Sequence, residues 1–237
     1  MANLPVRPSD QPRLSSFYQY ARRNPIELEK IRINRIVTDA VKPERVLDAF
    51  AGDGTSTRIF AKHAKLIVAI EKNRTAIEAL LTLRRTRRLA ITFSDNLSLL
   101  PSLTSNSFDL IDLDPYGNCY PQLEHARRLR STAGVLLISS GQVQRVVRGL
   151  DIPELPASRL YSGKRAVLWA EEVWIPFLLK SLMQGDDLDI VHFFTSPVLT
   201  RVVIGPKSIR RKLFRLKTRK RYLGWFELAA VRGHDKS

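Results

Sequence analysis

The stretch RVLDAFAGDG (residues 45–54) decides the fold. It begins as a short apolar strand that ends near an acid, Asp48, and it continues into a turn that contains Gly52 and Gly54. Glycine lets the backbone bend tightly and approach a ligand closely, and a helix is predicted to follow to about residue 62. A strand, a glycine turn and a helix in this order are typical of the first unit of an α/β sheet.

The alternation of strand and helix continues along the chain. Apolar runs predict four further strands, at 66–71, 89–95, 108–114 and 134–140, and helices follow the second strand and the fourth. The runs are continuous rather than alternating, as expected of strands that helices cover on both faces, so the sheet is predicted to be parallel. The predicted fold class is therefore α/β, with a doubly wound Rossmann-like sheet.

The segments on either side of this pattern extend the prediction. A helical spacing of apolar residues predicts an N-terminal helix over 26–41, and residues 165–184 predict a long, mostly buried helix. Two apolar runs flank Ser196-Pro197, which predicts an antiparallel hairpin at the edge of the sheet. The segment 224–231 is consistent with a final strand.

The chain length of 237 residues suits one domain with short appendages. We expect a flexible basic and aromatic N-terminal arm over 1–25, the main domain over 26–206, and a basic C-terminal extension over 207–237. The N-terminal residues lack the apolar core of a signal peptide, and no run approaches the roughly 18 apolar residues of a membrane span. We therefore expect a protein without a membrane partner.

Cysteine and histidine usage limits the chemistry. The single cysteine, Cys119, excludes an intrachain disulfide and suits a reducing cytoplasm, where we expect the protein to be located. The four histidines are scattered without ligand-like spacing, so no metal site is predicted.

The charge of the chain points to a polyanionic partner. Lys and Arg number 39 against 23 Asp and Glu, a formal net charge of +16 that a globular fold does not need. One charge run is normally a solvated face, but here several runs are interleaved with aromatic residues, which suits single-stranded or looped RNA. The candidate nucleic-acid-binding residues are Arg22, Arg23, Lys207, Arg210, Arg211, Lys212, Arg215, Lys217, Arg219, Lys220 and Arg221.

Four acids lie at or near the ends of four predicted strands, namely Asp48, Glu71, Asp95 and Asp114. The carboxyl ends of parallel strands meet at one crevice, so these acids are expected to converge there. The alternative interpretation is that each acid caps the helix that follows, because Asp favours such positions. Four acids in register with a glycine turn favour the ligand site.

The segment Asp114-Pro115-Tyr116-Gly117 follows the fourth predicted strand. An exocyclic amine of a nucleobase is a poor nucleophile, because its lone pair is delocalised into the ring. A carboxylate and a carbonyl that accept its N–H groups would restore electron density to nitrogen, and an aromatic ring can stack on a base presented outside its helix. The structural alternative is a Pro-Gly turn that Asp114 caps.

Two of these motifs resemble a known family. The pattern D-x-F-x-G-x-G at 48–54 resembles motif I of class I S-adenosylmethionine-dependent methyltransferases, and D-L-D-P-Y-G at 112–117 resembles the signature of the tRNA guanine-N2 dimethyltransferase family. The stretch from Glu171 to Arg201 is also similar, and Asn34-Arg35 corresponds to an Asn-Arg pair that the family uses at the cofactor. The resemblance covers about 30–205.

The resemblance implies a methyltransferase domain over 26–206 that uses S-adenosyl-L-methionine and acts on RNA, with tRNA favoured. The implied catalytic residues are Asp114, Pro115 and Tyr116. The implied cofactor-binding residues are Arg35, Asp48, Phe50, Gly52, Gly54, Glu71, Lys72, Asp95, Asn96 and Asp112. Asn118 departs from the family, where serine is usual at this position, and family members are longer, with a C-terminal domain that helps to grip tRNA.

Three alternatives remain open. Adenine-N6 and cytosine-N4 methyltransferases usually carry two prolines in this motif, whereas Pro115 stands alone. Cytosine-C5 methyltransferases attack with a cysteine just after a proline, which Cys119 is not. A nucleic-acid-binding protein with an inactive methyltransferase fold would not need the four acids. The RNA species, the modified position, mono- or dimethylation and the oligomeric state stay open.

Overall fold

The computed structural model describes residues 24–83, 88–155, 158–161, 163–182, 188–213 and 220–222. Eight strands occur in this part of the chain: β1 (Arg45–Asp48), β2 (Leu66–Glu71), β3 (Leu89–Phe93), β4 (Phe108–Leu113), β5 (Arg130–Ser140), β6 (Leu188–Thr195), β7 (Thr200–Pro206) and β8 (Lys220–Tyr222). Residues 1–23 of the arm predicted over 1–25 and the predicted strand at 224–231 lie outside the described residues, whereas Asn24 and Pro25 belong to the start of the first helix.

The α-helices of the same part are α1 (Pro25–Val41), α2 (Thr55–Phe60), α3 (Arg74–Leu81), α4 (Asn96–Leu99), α5 (Tyr120–Leu129), α6 (Val143–Val147), α7 (Ala166–Trp169) and α8 (Ile175–Leu182). Short 3₁₀ turns cover Leu100–Ser102, Ser158–Tyr161, Gly163–Arg165 and Lys207–Arg211.

The strands form one mixed sheet in the order β3-β2-β1-β4-β5-β7-β6-β8. The first five are parallel, and β7 runs antiparallel to both β5 and β6, which confirms the doubly wound α/β fold and the antiparallel hairpin. β8 pairs in parallel with β6, so one short strand lies outside the hairpin. Strand order reverses between β1 and β4, and the crevice beyond their carboxyl ends is where such sheets bind ligands.

Helix α1 has sequence signals at both ends. The Asn24 side chain accepts a hydrogen bond from the Ile26 amide, and Pro25 occupies the first turn, where a missing N–H costs nothing. Lys42 closes the helix in a left-handed conformation, and Pro43 follows. The helix therefore lies within one residue of its predicted start.

The predicted long helix over 165–184 contains a wide turn. Ala170–Trp174 forms a π-helical turn between α7 and α8, and Pro176 comes two residues later. A proline ring clashes with the carbonyl four residues earlier, here Glu172, and it cannot donate a hydrogen bond. The wider π-helical turn moves the Glu172 carbonyl away from the proline ring, so the helix continues through Pro176.

Apolar side chains pack on both faces of the sheet. Ile33 and Val37 of α1 lie with Val46 and Leu110 on one face, whose cluster also includes residues of α2 and α3. The cluster on the other face includes residues of α5, α7 and α8. Ile209 and Leu213 are also buried in the α1-side cluster. The chain just after residue 206 therefore contributes to the core of the domain.

Candidate active site

Two aspartates lie side by side at the carboxyl ends of the central strands. Asp48 of β1 and Asp112 of β4 are direct partners across the parallel pair, and both side chains are buried. Asp114 follows Asp112 by two residues, so both point to the α1 face of the sheet. Three carboxyl groups are thereby gathered at the point where the strand order reverses.

Arg201 of β7 compensates for this concentration of acid. Its Nη2 atom lies 3.0 and 3.1 Å from the two carboxylate oxygens of Asp112, and its Nη1 atom donates to Ser139 Oγ at 2.6 Å. Nη1 also lies 3.8 Å from Asp114 Oδ1. The Arg201 side chain is fully buried, so its charge acts without screening by water.

Helix α1 supplies a second cation and an amide. Lys30 Nζ lies 2.5 Å from Asp114 Oδ2 and 3.1 Å from Glu27 Oε1. One turn later, Asn34 Oδ1 accepts a hydrogen bond from Arg201 Nη2 at 2.7 Å. Lys30 and Asn34 are four residues apart, so both lie on the face of α1 that covers the strand ends.

The three carboxyl groups differ in their electrostatics. Burial, reinforced by the neighbouring Asp112, raises the pKa of Asp48 to about 8, although Thr57 Oγ1 donates to it. Burial also raises the pKa of Asp112, against the attraction of Arg201. Burial opposes ionisation of Asp114 too, but Lys30 and Arg201 outweigh it and hold its pKa below the usual range. Asp114 is thus the ionised member, and its side chain is 16% exposed.

Glu71 ties the glycine turn to the end of β2. Gly52 and Gly54 both adopt left-handed backbone angles, which residues with a Cβ rarely take. The amide of Gly52 donates to Glu71 Oε2 at 2.8 Å, and the amides of Lys72 and Asn73 donate to Oε1. A Cβ built on Gly52 meets no atom within 4 Å, so open space lies in front of this turn.

Asp95, the acid beyond β3, caps the helix that follows it, which was the alternative interpretation of the four acids. Asp95 accepts from the amide of Leu97 as the cap of α4, and it pairs with Lys72 at 3.1 Å. The next residue, Asn96, donates to the Ala49 carbonyl and accepts from Gln122 of α5. β3 itself ends at Phe93, two residues before Asp95.

The segment after β4 has one buried and one exposed ring. Pro115 is buried, whereas the Tyr116 side chain projects fully into solvent. The amide of Gly141, after β5, donates to the Gly117 carbonyl at 2.9 Å. A Cβ on Gly141 would lie 2.5 Å from the Tyr116 carbonyl oxygen, so only glycine fits beside this segment.

The remaining predicted cofactor-binding residues, Phe50, Asp112 and Arg35, differ in their exposure to solvent. Phe50 is half-buried against the core, and Asp112 is fully buried with both oxygens on Arg201. Arg35 is exposed on α1, whereas its neighbour Asn34 faces the acids. Their contact with a cofactor stays a prediction. Lys30 and Gly141 were absent from the sequence prediction, because neither has a motif of its own.

Cys119 is fully buried at the start of α5. Burial raises the pKa of its thiol to about 12, and the thiolate is the form that attacks a base. These surroundings disfavour the cytosine-C5 chemistry that was the alternative.

The basic residues divide into exposed and structural groups. Lys207, Arg211 and Lys212 are exposed, and Arg210 pairs with Asp189 at 2.6 Å. Two further arginines, Arg128 of α5 and Arg130 of β5, are structural. Arg128 donates to the carbonyls of Leu100 and Leu103, and Arg130 donates to those of Ser131 and Thr132. The side chains of Arg22, Arg23, Arg215, Lys217, Arg219, Lys220 and Arg221 lie outside the described part of the molecule.

Solved methyltransferase structures share this fold. Trm1 from Pyrococcus horikoshii, in complex with S-adenosyl-L-methionine, matches 84% of this chain with a TM-score of 0.59 at 16% identity. A putative O-methyltransferase from Klebsiella pneumoniae matches 85% with a TM-score of 0.56 at 16% identity, and 90% of its own chain is covered. The N-methyltransferase NodS from Bradyrhizobium japonicum matches 78% with a TM-score of 0.53 at 16% identity, and 98% of its chain is covered.

The fold is therefore that of class I S-adenosylmethionine-dependent methyltransferases. The chain spans 57% of the length of the Trm1 structure. No family model and no curated protein matches the sequence. In the part of the chain that the structure describes, no helix combines the length and apolar character needed to cross a membrane.

The close approach at Gly141 gives a test of the loop. Gly141→Ala should lower the free energy of unfolding by about 1–3 kcal/mol, because the new methyl group would push against the Tyr116 carbonyl. Urea unfolding measures this. Gly117→Ala is the matched control, since open space surrounds its Cβ, and about 0.5 kcal/mol or less is expected there. Equal stability of the two variants would contradict the tight contact.

The raised pKa of Asp48 predicts a pH-dependent stability. An aspartate in the unfolded chain has a pKa of about 3.9. The folded protein therefore binds the Asp48 proton more tightly than the unfolded chain does. As a result, Asp48 makes the free energy of unfolding fall as the pH rises toward about 8. Asp48→Asn removes this loss. The free energy of unfolding of the variant minus that of wild type, measured with urea, should be at least about 1 kcal/mol larger at pH 8.5 than at pH 5.5.

Asp95→Asn provides the control for that measurement. The side-chain hydrogen bond of Lys72 and the backbone hydrogen bond of Leu97 lower the pKa of Asp95, so it stays ionised over the same pH interval. Neither partner is a histidine that would change charge in this interval, so the effect of the substitution on stability should be constant. A difference for Asp48→Asn that is equally constant would show that Asp48 does not titrate in this interval.

Proposed function

We propose that this protein is an S-adenosylmethionine-dependent methyltransferase that acts on an exocyclic amine of a nucleic-acid base. RNA is the favoured substrate, and N2 of guanine in tRNA or another structured RNA is the favoured position. One observation carries the proposal. An ionised, partly exposed carboxylate, Asp114, lies where the strand order reverses, two residues before the fully exposed ring of Tyr116.

The residues present fit the cofactor. The cofactor is a cation with a nucleoside and an amino-acid tail, and it supplies a methyl group bonded to sulfur. The open space before Gly52 admits a ligand close to the backbone, and Glu71 borders the same turn. Glu71 would accept ribose hydroxyls and Asp95 the adenine amino group, beside Gly54, Phe50 and Asn96. Lys72 would hold Asp95 in place through their ion pair.

The chain's own groups would prepare the amine. Asp114 and the carbonyl of Pro115 would accept its two N–H groups, which returns electron density to nitrogen, while the Tyr116 ring stacks on the base. Lys30 and Arg201 lower the pKa of Asp114, which makes it a weak base. Asp114 would therefore orient the amine, and the proton would leave to water once the alkylated nitrogen has become acidic.

Nucleic acid is favoured by charge. The net charge is +16, and Lys207, Arg211 and Lys212 are exposed cations at the start of the C-terminal extension. The cations of the N-terminal arm and of the 207–221 run would bind phosphates of the nucleic acid. Trm1 is among the solved structures that share this fold. This match agrees with the resemblance of the D-P-Y-G segment to the tRNA guanine-N2 dimethyltransferase family.

Radiolabel transfer tests the proposal. Wild-type protein is incubated with tritiated S-adenosylmethionine and total RNA or, separately, genomic DNA, and labelled nucleosides are identified. We expect N2-methylguanosine from RNA, with the rate reduced at least about 100-fold in Asp114→Asn, because the amide accepts one N–H far more weakly. Asp39→Asn, an exposed acid outside the site, should keep wild-type activity.

The outcomes separate the competing functions. Label on adenine or cytosine, or in DNA, would keep the transferase and contradict the guanine-N2 substrate. Wild-type protein that binds the cofactor yet labels neither polymer would contradict the proposed function and favour a nucleic-acid-binding role.

A further inference from the structure

Among the described residues, Lys30 is the cation nearest to Asp114, the carboxylate on which the proposed function depends. Its Nζ atom is 2.5 Å from Asp114 Oδ2, whereas the nearest Arg201 nitrogen is 3.8 Å from Asp114 Oδ1. Only 14% of the Lys30 side chain is exposed, so water screens this pair weakly. A buried lysine without a compensating acid would be costly, which indicates that the pairing is specific.

Among the described residues, Lys30 of α1 and Arg201 of β7 are the cations that face Asp114, with Ser139 of β5 beside them. Its acidic neighbours are Asp112 of β4 and Asp48 of β1, and Glu27 of α1 pairs with Lys30. The Arg201 Nη2 atom is occupied by Asp112 and Asn34, and its Nη1 atom donates to Ser139. Arg201 is therefore shared between two acids, and Lys30 serves mainly Asp114.

We propose that Lys30 is the positioning residue that keeps Asp114 ionised and turned toward the open side of the site. The inference rests on the proposed function, because an ionised carboxylate is what accepts an N–H group from the substrate amine. A protonated Asp114 would carry a hydrogen on the oxygen that has to accept. Lys30 reaches Asp114 from α1 and Ser139 donates to it from β5, so the substrate would use the lone pairs that neither group takes.

The direction of the Asp114 pKa supports this geometry. Burial alone would raise it, and Lys30 is the largest influence that lowers it, ahead of Arg201. Removing the charge of Lys30 should therefore bring protonation of Asp114 into the measurable pH range. A purely structural lysine would change stability without moving this titration.

The experiment compares pH profiles of kcat/KM for methyl transfer by the full chain. Lys30→Met removes the charge and keeps most of the apolar stem, and we expect its acid limb to move up by at least about one pH unit. At pH values below the displaced limb, activity should be about tenfold lower than that of wild type, with recovery above the limb. Lys30→Arg keeps the positive charge, so its acid limb should stay at the wild-type pH. Lys62→Met, which breaks an exposed ion pair with Asp39, is the control and should also leave the acid limb unchanged.

A second readout does not require activity. Carbon-13 NMR titration of the Asp114 carboxyl, assigned by its loss in Asp114→Asn, should show the same upward shift in Lys30→Met. Should Lys30→Met fail to fold, Lys30→Gln removes the charge with a polar side chain of moderate length. Wild-type protein without transfer would contradict the proposed function, and the titration would then decide the Lys30 pairing separately. An unchanged limb or an unchanged titration in a folded variant would overturn the inference.

Discussion

The buried guanidinium of Arg201 is the interaction on which the rest of the site depends. From β7 it reaches Asp112 on β4, Ser139 on β5 and Asn34 on α1. Removing one partner of such a buried pair typically costs about 3–5 kcal/mol, because the other charge remains without compensation. Arg201 therefore allows acids to accumulate at the central strands, and it fixes α1 over them. The antiparallel hairpin supplies the charge that the parallel strands require.

The same network gives three neighbouring carboxyl groups different tasks. Asp48 is deep and its pKa is raised to about 8, so it contributes a hydrogen-bonding group at neutral pH rather than a full charge. Asp112 is paired with Arg201 and holds the strands in place. Asp114 is the carboxylate that is both paired with cations and partly open to solvent. A gradient of burial thus separates structural acids from the acid proposed to meet the substrate.

The parallel sheet could be predicted from the sequence, because its strands are continuous apolar runs. Two of them end at the acids Asp48 and Glu71, as predicted. The sequence could not predict the charge network. Arg201 ends a stretch that is similar to the family, but its partners depend on the register of β7 with β5. Lys30 has the sequence pattern of a residue on the solvated face of an amphipathic helix. The count of basic residues could not show which cations are structural, and Arg128 and Arg130 donate to backbone carbonyls. Strand β8 was not predicted, since three residues give no periodicity.

The proposed function requires that the crevice beyond β1, β2 and β4 binds S-adenosylmethionine. Titration calorimetry of the cofactor into wild-type protein and Glu71→Ala tests it most directly, with Glu44→Ala, an exposed acid just before β1, as control. We expect one saturable site, with a Kd that is at least about tenfold higher in Glu71→Ala and unchanged in Glu44→Ala. The expected loss follows because hydrogen bonds to a charged group contribute roughly 1.5–3 kcal/mol. Absence of binding to wild-type protein, or equal affinity in all three proteins, would contradict it.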